Sequence, residues 1–180
     1  MGLTRRYLLP LVLAPGVAVH ELAHYLACRL LGIRVREVVL FRFGDPVGYV
    51  DHDVPRAYWR RIVVTIAPLV VNTAVAVAAF WASARVAVPL ALVATYLGVV
   101  TLRNSIPSSI DARALFPHSR LGYLHPLFVL TLPLIAILLL ANRLRAYGFS
   151  VAYTGAVSGV LLLSFHTDAL SLTELFAGLI

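Results

Sequence analysis

The chain lacks lysine altogether and contains a single cysteine, and few of its residues are charged. Its 15 basic residues are therefore all arginines, and they are scattered without the basic and aromatic interleaving that is typical of a nucleic-acid surface. Cys28 has no partner with which to form a disulfide within the chain. Charged residues make up 13% of the 180 residues and hydrophobic residues 61%. A soluble domain of this size cannot bury so much apolar surface, so the composition indicates a membrane protein.

Long apolar segments recur along the whole chain. Each is close to the roughly 20 residues that a helix needs to cross a bilayer. The sequence therefore predicts an all-α polytopic membrane protein with about five transmembrane helices. A short tail at 168–180 is expected to lie at the membrane interface. The predicted spans cover residues 7–32, 60–83, 86–103, 121–142 and 148–166.

The segment between the first two spans has a different pattern. Residues 33–43 show much of the alternation of a β-strand, Gly-Asp-Pro at 44–46 is typical of a turn, and residues 47–51 form a second strand-like run. The sequence thus predicts a small β-hairpin within 33–52 at the membrane face. Open sheet edges cannot face lipid, so the hairpin must lie against protein or water. Its exposed edge could accept an extended peptide as an additional strand.

The arginines between the predicted spans favour one orientation. More of them lie in loops on the side of the hairpin than in the N-terminal tail and the loops at 84–86 and 143–147. This count assigns Arg143 and Arg145 to the side opposite the hairpin. Because cytoplasmic loops carry an excess of basic residues, the hairpin side is predicted to be cytoplasmic, with the protein in the cell membrane.

A pentapeptide with the spacing of metal ligands, HELAH at 20–24, lies within the first apolar span. Residues four apart stack on one face of a helix, so His20 and His24 can hold one metal ion together. Glu21 beside them can take a proton from a water bound by that metal. Ionisable residues at membrane depth are costly and usually mark a functional site. We therefore interpret the pentapeptide as a zinc site with Glu21 as its catalytic base.

A catalytic zinc site needs a third protein ligand from another segment. Asp111 is favoured, because it follows the third span, and that span ends on the hairpin side together with the HELAH half of the first span. Pro107 breaks the helix before it, and irregular backbone at membrane depth is tolerated where it lines a cavity. The candidates that remain open besides Asp111 are His118, His125, His166 and Asp168.

Taken together, these motifs resemble the site-2 protease family of intramembrane zinc metalloproteases. The resemblance covers about residues 16–112, and the order and rough spacing of its elements match those of the family. The sequence departs from the family pattern at Ala23, Ile110 and Ala112, which stand where Gly, Leu and Gly are usual, and the segment from Pro107 to Asp111 is one residue shorter than in the family. The matching residues are the HELAH pentapeptide with the stop at Gly32, the strand-like segment 35–44, Ala67, Pro68 and Asn72 (Gly-Pro…Asn in the family), and Asn104, Pro107 and Asp111 (Asn-x-x-Pro…Leu-Asp-Gly).

The resemblance implies a role for each of the polar residues. Glu21 would act as the general base on a water activated by zinc and would then protonate the leaving amine. Asn104 and Asn72 would position the substrate backbone or stabilise the oxyanion. For Asn72 a hydrogen bond between helices is an equal alternative. The zinc ligands would be His20, His24 and Asp111.

The function that the resemblance implies is hydrolysis of a peptide bond in or near the transmembrane segment of a membrane-anchored protein. The chain would form a single membrane domain over 1–180, with the protease core at 7–112 and two additional helices over 121–166. No nucleic-acid partner is expected. Two alternatives stay open, namely a non-catalytic metal-binding membrane protein and a membrane zinc hydrolase that acts on a different substrate.

Overall fold

The computed structural model describes residues 7–117 and 120–177 and consists mainly of helices. Within these described ranges, four helices are long and apolar enough to cross a membrane, and a shorter apolar helix lies among them, which confirms the predicted helical class. A two-stranded antiparallel hairpin connects the first two helices, also as predicted. The elements are, in chain order, α1 (Leu9–Leu30), β1 (Val35–Val39), β2 (Tyr49–His52), α2 (Tyr58–Ser83), α3 (Val88–Arg103), α4 (Ser109–Arg113), α5 (Pro126–Leu144) and α6 (Phe149–Ala177).

Prolines shape the helices in two ways. Pro89 and Pro126 lie in the first turn of α3 and α5, where the N–H that proline lacks would have had no helical acceptor. Pro68 instead lies inside α2. There it leaves the carbonyl of Val64, four residues earlier, without its helical N–H. That carbonyl is therefore available to a donor from another helix.

Helices α1, α2 and α3 pack closely because small residues lie at their contacts. A Cβ atom at Gly16 of α1 would lie 2.1 Å from the carbonyl oxygen of Val100 in α3, so only glycine fits there. Phe80 of α2 is fully buried and packs over Gly98 of α3. These close contacts fix the relative positions of the three helices that carry most of the polar residues.

Asn72 ties the same three helices together. It is fully buried, and its side-chain Nδ2 donates to the carbonyl oxygens of Gly16 at 3.2 Å, Thr101 at 3.2 Å and Asn104 at 3.1 Å. Gly16 belongs to α1, and the other two acceptors lie at the end of α3. This is the hydrogen bond between helices that the sequence left as one of two possibilities for Asn72.

The end of α5 packs against the connection between α3 and α4. Asn142 donates to the carbonyl of Pro107 at 2.9 Å, and Arg145 donates through Nη2 to the carbonyl of Ile106 at 2.7 Å. Arg145 consequently lines the same cavity as residues of the hairpin. The arginine count took no account of this docking, which brings the end of α5 to the cavity.

The hairpin differs from the prediction in its length and its position. Residues 40–43 continue the strand-like sequence pattern but lie outside β1, which pairs with β2 through Val38 and Val50 among others. The turn extends back along α1 rather than staying at one face, since the ring of Phe43 lies 5.8 Å from that of Tyr7. The turn also passes over Glu21 of α1, since a Cβ atom at Gly48 would lie 2.8 Å from Cγ of Glu21.

Helix α6 continues beyond the predicted end of the fifth span at 166 and runs to Ala177. Over its described part, the predicted tail at 168–180 thus continues the helix of the fifth span, and its place at the membrane interface stays a prediction. No glycine or proline lies between Gly159 and Ala177 to interrupt the helix.

Candidate metal centre

His24 is oriented by a hydrogen bond to α2. Its Nδ1 lies 3.0 Å from the carbonyl oxygen of Val64, the acceptor that Pro68 leaves free. Because a carbonyl can only accept, this contact places the ring proton on Nδ1 and leaves a lone pair on Nε2. Nε2 is buried and has no hydrogen-bond partner within the described residues. A ring nitrogen in this state suits a metal ligand.

His20 is oriented in the same way by the end of α3. Its Nδ1 lies 2.6 Å from the carbonyl oxygen of Asn104, which also accepts from Asn72 at 3.1 Å. Carbonyls at the end of a helix lack a helical donor, so this one is free for both. The side chain of Asn104 donates to the carbonyl of Val100 at 2.8 Å, and Asn104 is among the residues that line the cavity, whereas the fully buried Asn72 is not. Asn72 therefore contacts the carbonyl that orients His20, and it does not line the cavity.

Asp111 reaches the histidines from the short helix α4. Ser108 caps this helix and forms a reciprocal capping box with Asp111. The backbone N–H and the hydroxyl of Ser108 donate to Oδ2 of Asp111 at 2.7 and 2.6 Å. This carboxylate lies with Oδ1 3.4 Å from Nε2 of His24 and Oδ2 3.7 Å from Nε2 of His20. The third predicted ligand is thus brought to the other two.

The donor set of these three residues fits zinc. One ligand atom from each of His20, His24 and Asp111 lies within 4.8 Å of the others. Ligands about 2.0–2.1 Å from a tetrahedral ion lie about 3.3 Å apart, which is close to the distances between the carboxylate and the two rings. Both imidazoles donate their Nδ1 protons to carbonyls, and such contacts fix metal-binding histidines in the required tautomer. Zinc is therefore the cofactor that this set suits, with a fourth position left for water or substrate.

Glu21 and the three ligands line one cavity of about 570 Å³. The turn of the hairpin passes directly over Glu21, because a Cβ atom at Gly48 would lie 2.8 Å from Cγ of Glu21. Tyr49 and His52 of β2 line the cavity as well. One cavity is therefore lined by the metal ligand set, by Glu21, whose carboxylate is not one of the three ligands, and by the edge of strand β2.

The other candidate third ligands do not join this group within the part of the chain that the structure describes. His125 caps α5, and its ring lies 5.7 Å from that of Tyr58. His166 is exposed and bonded to a carbonyl of its own helix. Asp168 lies near the same end of α6, away from the ligand set. His118 lies outside the described residues.

Two residues of the site were not identified from the sequence. Ser108 carries a signal that was available, since Ser-x-x-Asp before a helix is the signature of a capping box. Arg145 carries no local signal, because only the docking of α5 brings it to the cavity.

Comparison with known families agrees with this reading of the site. The family model DUF3267, described as "Putative zincin peptidase", matches residues 13–107. The matched segment includes His20, Glu21 and His24, and it ends before Asp111. No curated protein and no solved structure matches the chain significantly. Because the match covers more than half of the chain, the chain belongs to the DUF3267 family of zinc peptidases of the zincin type.

Proposed function

We propose that the protein is an intramembrane zinc metalloprotease, similar to the site-2 proteases, which hydrolyses a peptide bond in or near the transmembrane segment of a membrane-anchored protein. One observation carries the proposal. The residues of a zincin pentapeptide lie inside an apolar helix, and they share a cavity with Asp111 from a different part of the bundle. A soluble peptidase has no need to place its ligands on a helix of this kind.

The residues divide the chemistry among them. A bound zinc ion would polarise the scissile carbonyl and acidify a water molecule. Glu21 takes the proton of the attacking water and then delivers it to the leaving amine. Asn104 would hold the substrate backbone, as the resemblance implies, and it lines the cavity. Asn72 supports this arrangement through the carbonyl that also orients His20.

The substrate must reach the site in an extended form. A transmembrane helix hides its carbonyls in internal hydrogen bonds and has to unwind before a peptide bond can be attacked. In the described residues the sheet has two strands, so β2 has a free edge, and residues of β2 line the cavity. An unwound segment can pair with this edge as a third strand and present its backbone to Glu21.

The proposed location is the plasma membrane, with the hairpin and the cavity opening on the cytoplasmic side. The excess of arginines on the loops beside the hairpin supports this orientation.

The test is hydrolysis by the purified protein in proteoliposomes, compared with its Glu21→Gln variant. A panel of single-span substrates is incubated with both, and the products are identified by mass spectrometry. We expect cleavage within or next to the span by the wild type only, with zinc content and thermal stability equal in the two proteins. A non-catalytic metal-binding protein would cleave nothing, and a hydrolase for another substrate would leave every membrane span intact. Cleavage that persists in Glu21→Gln would contradict the proposed role of Glu21.

A further inference from the structure

Arg145 is a cation in the metal cavity whose hydrogen-bonding groups are mostly without acceptors. It follows α5 directly, and its Nη2 donates to the carbonyl of Ile106 at 2.7 Å. A guanidinium has five N–H donors, and the described residues supply an acceptor only for Nη2. Nε is buried and has no partner among them. The site therefore contains donors that the protein itself does not satisfy.

The charge of Arg145 is also unpaired within the described chain. No carboxylate there lies within ion-pair distance of it. Its charge is attracted by Asp111, but Asp111 already faces two histidines and Ser108, and Arg103 repels it. An unpaired guanidinium in an apolar bundle is costly, so a partner is expected from outside the chain.

The charges that line the cavity point to the sign of that partner. The described lining contains three carboxylates, those of Glu21, Asp45 and Asp111, and two guanidinium groups, those of Arg61 and Arg145. A divalent cation on the ligand set therefore leaves an excess of positive charge in the cavity. An anionic group on the ligand would neutralise this excess.

We infer that Arg145 forms an anion-binding subsite beside the metal centre, and that this subsite receives a carboxylate of the peptide substrate. The inference rests on the proposed function and names a substrate class for it, namely peptides with a carboxylate near the scissile bond. A carboxylate fits because its two oxygens match the planar fork of a guanidinium. The carboxylate can belong to an acidic side chain or to a C-terminus. Arg145 is then a positioning residue, and Glu21 keeps its role in the chemistry.

The experiment measures binding in the Glu21→Gln protein, so that no probe is consumed. Four peptides of one sequence are compared on zinc-loaded protein in detergent micelles. They carry Asp or Asn beside the bond that would be cleaved, and a free or an amidated C-terminus. The same set is measured after adding Arg145→Gln, Arg145→Lys or, as the matched control, Arg143→Gln. Arg143 is exposed near the same end of α5 and does not line the cavity.

We expect one carboxylate to improve affinity about tenfold to hundredfold over its neutral counterpart, the range of a charge-assisted hydrogen bond. Arg145→Gln should bring this ratio close to one, Arg145→Lys should keep part of it, and Arg143→Gln should keep all of it. The pair that shows the effect identifies the source, a side chain or a C-terminus.

Three results would overturn the inference. The first is equal affinity of the protein for all four peptides, and the second is no measurable binding of any peptide. The third is an equal loss of affinity for all four peptides in Arg145→Gln, which would mean that Arg145 acts only through its hydrogen bond to the carbonyl of Ile106. The ratio is read from binding, so it is independent of the cleavage test. A carboxylate preference without cleavage of any membrane substrate would reject the proposed function and leave the subsite standing.

Discussion

The ring of His24 and the carbonyl of Val64 are 3.0 Å apart, and the hydrogen bond between them exists because Pro68 cannot use that carbonyl. A proline that weakens one helix thus orients a metal ligand on another. The position of Pro68 within the segment that matches the zincin family is therefore explained by the geometry of the site.

Pro68→Ala should weaken zinc binding while leaving the helix intact. Alanine restores an N–H that competes with His24 for the carbonyl of Val64, so the contact that fixes the tautomer of His24 becomes weaker. Loss of a contact of this kind usually lowers metal affinity about tenfold to a hundredfold. A competition titration with a zinc chelator measures the change. The control is Pro133→Ala in α5, which also removes a proline from inside a helix but does not line the cavity, and which should bind zinc as the wild type does.

Ser108→Ala should weaken zinc binding and lower stability slightly. Ser108 donates twice to the carboxylate of Asp111 and caps α4, and the loss of a capping side chain costs about 1 kcal/mol. The hydroxyl bond is lost while the backbone bond remains, so Asp111 becomes more mobile without leaving the site. Zinc affinity and the melting temperature are measured together. Unchanged zinc affinity would show that the capping box does not position Asp111 for the metal.

Gly48→Ala should reduce hydrolysis without removing zinc. The added Cβ would lie 2.8 Å from Cγ of Glu21 and 3.0 Å from two carbonyls of the hairpin, so either the hairpin turn or Glu21 must move. Cleavage rates and zinc content of the variant are compared with those of Gly159→Ala, where nothing lies within 4 Å of the added atom. Equal cleavage by both variants would mean that the turn does not hold Glu21 in its working position.

The hairpin should lose protection at acid pH. Arg36 holds Asp51 by bonds of 2.7 and 2.5 Å and also contacts Asp53, and the hydrogen bonds from Arg36 keep the pKa of Asp51 below its usual range. A lowered pKa in the folded state means that Asp51 stabilises the hairpin fully above the ordinary aspartate range. The contribution disappears as the pH falls through the lowered pKa.

Hydrogen–deuterium exchange of 35–52, expressed relative to the intrinsic rate at each pH, measures this effect. The wild type should lose protection only at the acid end of the series. Arg36→Gln should already be less protected near neutral pH and should vary less with pH. Arg34→Gln changes an exposed arginine of the same segment and should resemble the wild type. A pH profile of Arg36→Gln identical to that of the wild type would rule out this ion pair as a cross-strand contact.

Much of the site follows from local patterns in the sequence. The i and i+4 spacing of His20 and His24 needs only a helix to bring the rings together, and Pro107 signals the break that lets Asp111 turn inward. The helices were also predicted from a local pattern, because the length of an apolar run indicates whether it can cross a bilayer.

The remainder depends on tertiary packing, which no local pattern encodes. Arg145 reaches the cavity because Asn142 and Arg145 dock on the connection after α3, more than thirty residues away in sequence. The path of the hairpin turn along α1 likewise depends on contacts such as that between Phe43 and Tyr7. Charge counting treated the loops as if they lay outside the bundle, and so it could not place Arg145.

Zinc content of the purified protein decides whether His20, His24 and Asp111 form a metal site. Elemental analysis is carried out on the wild type, His24→Ala, Asp111→Ala and, as a control, His125→Ala. We expect about one zinc ion per chain in the wild type and in His125→Ala, and loss of zinc in the other two, as for a site with three protein ligands. A wild type without zinc, or zinc retained in full by Asp111→Ala, would contradict the account.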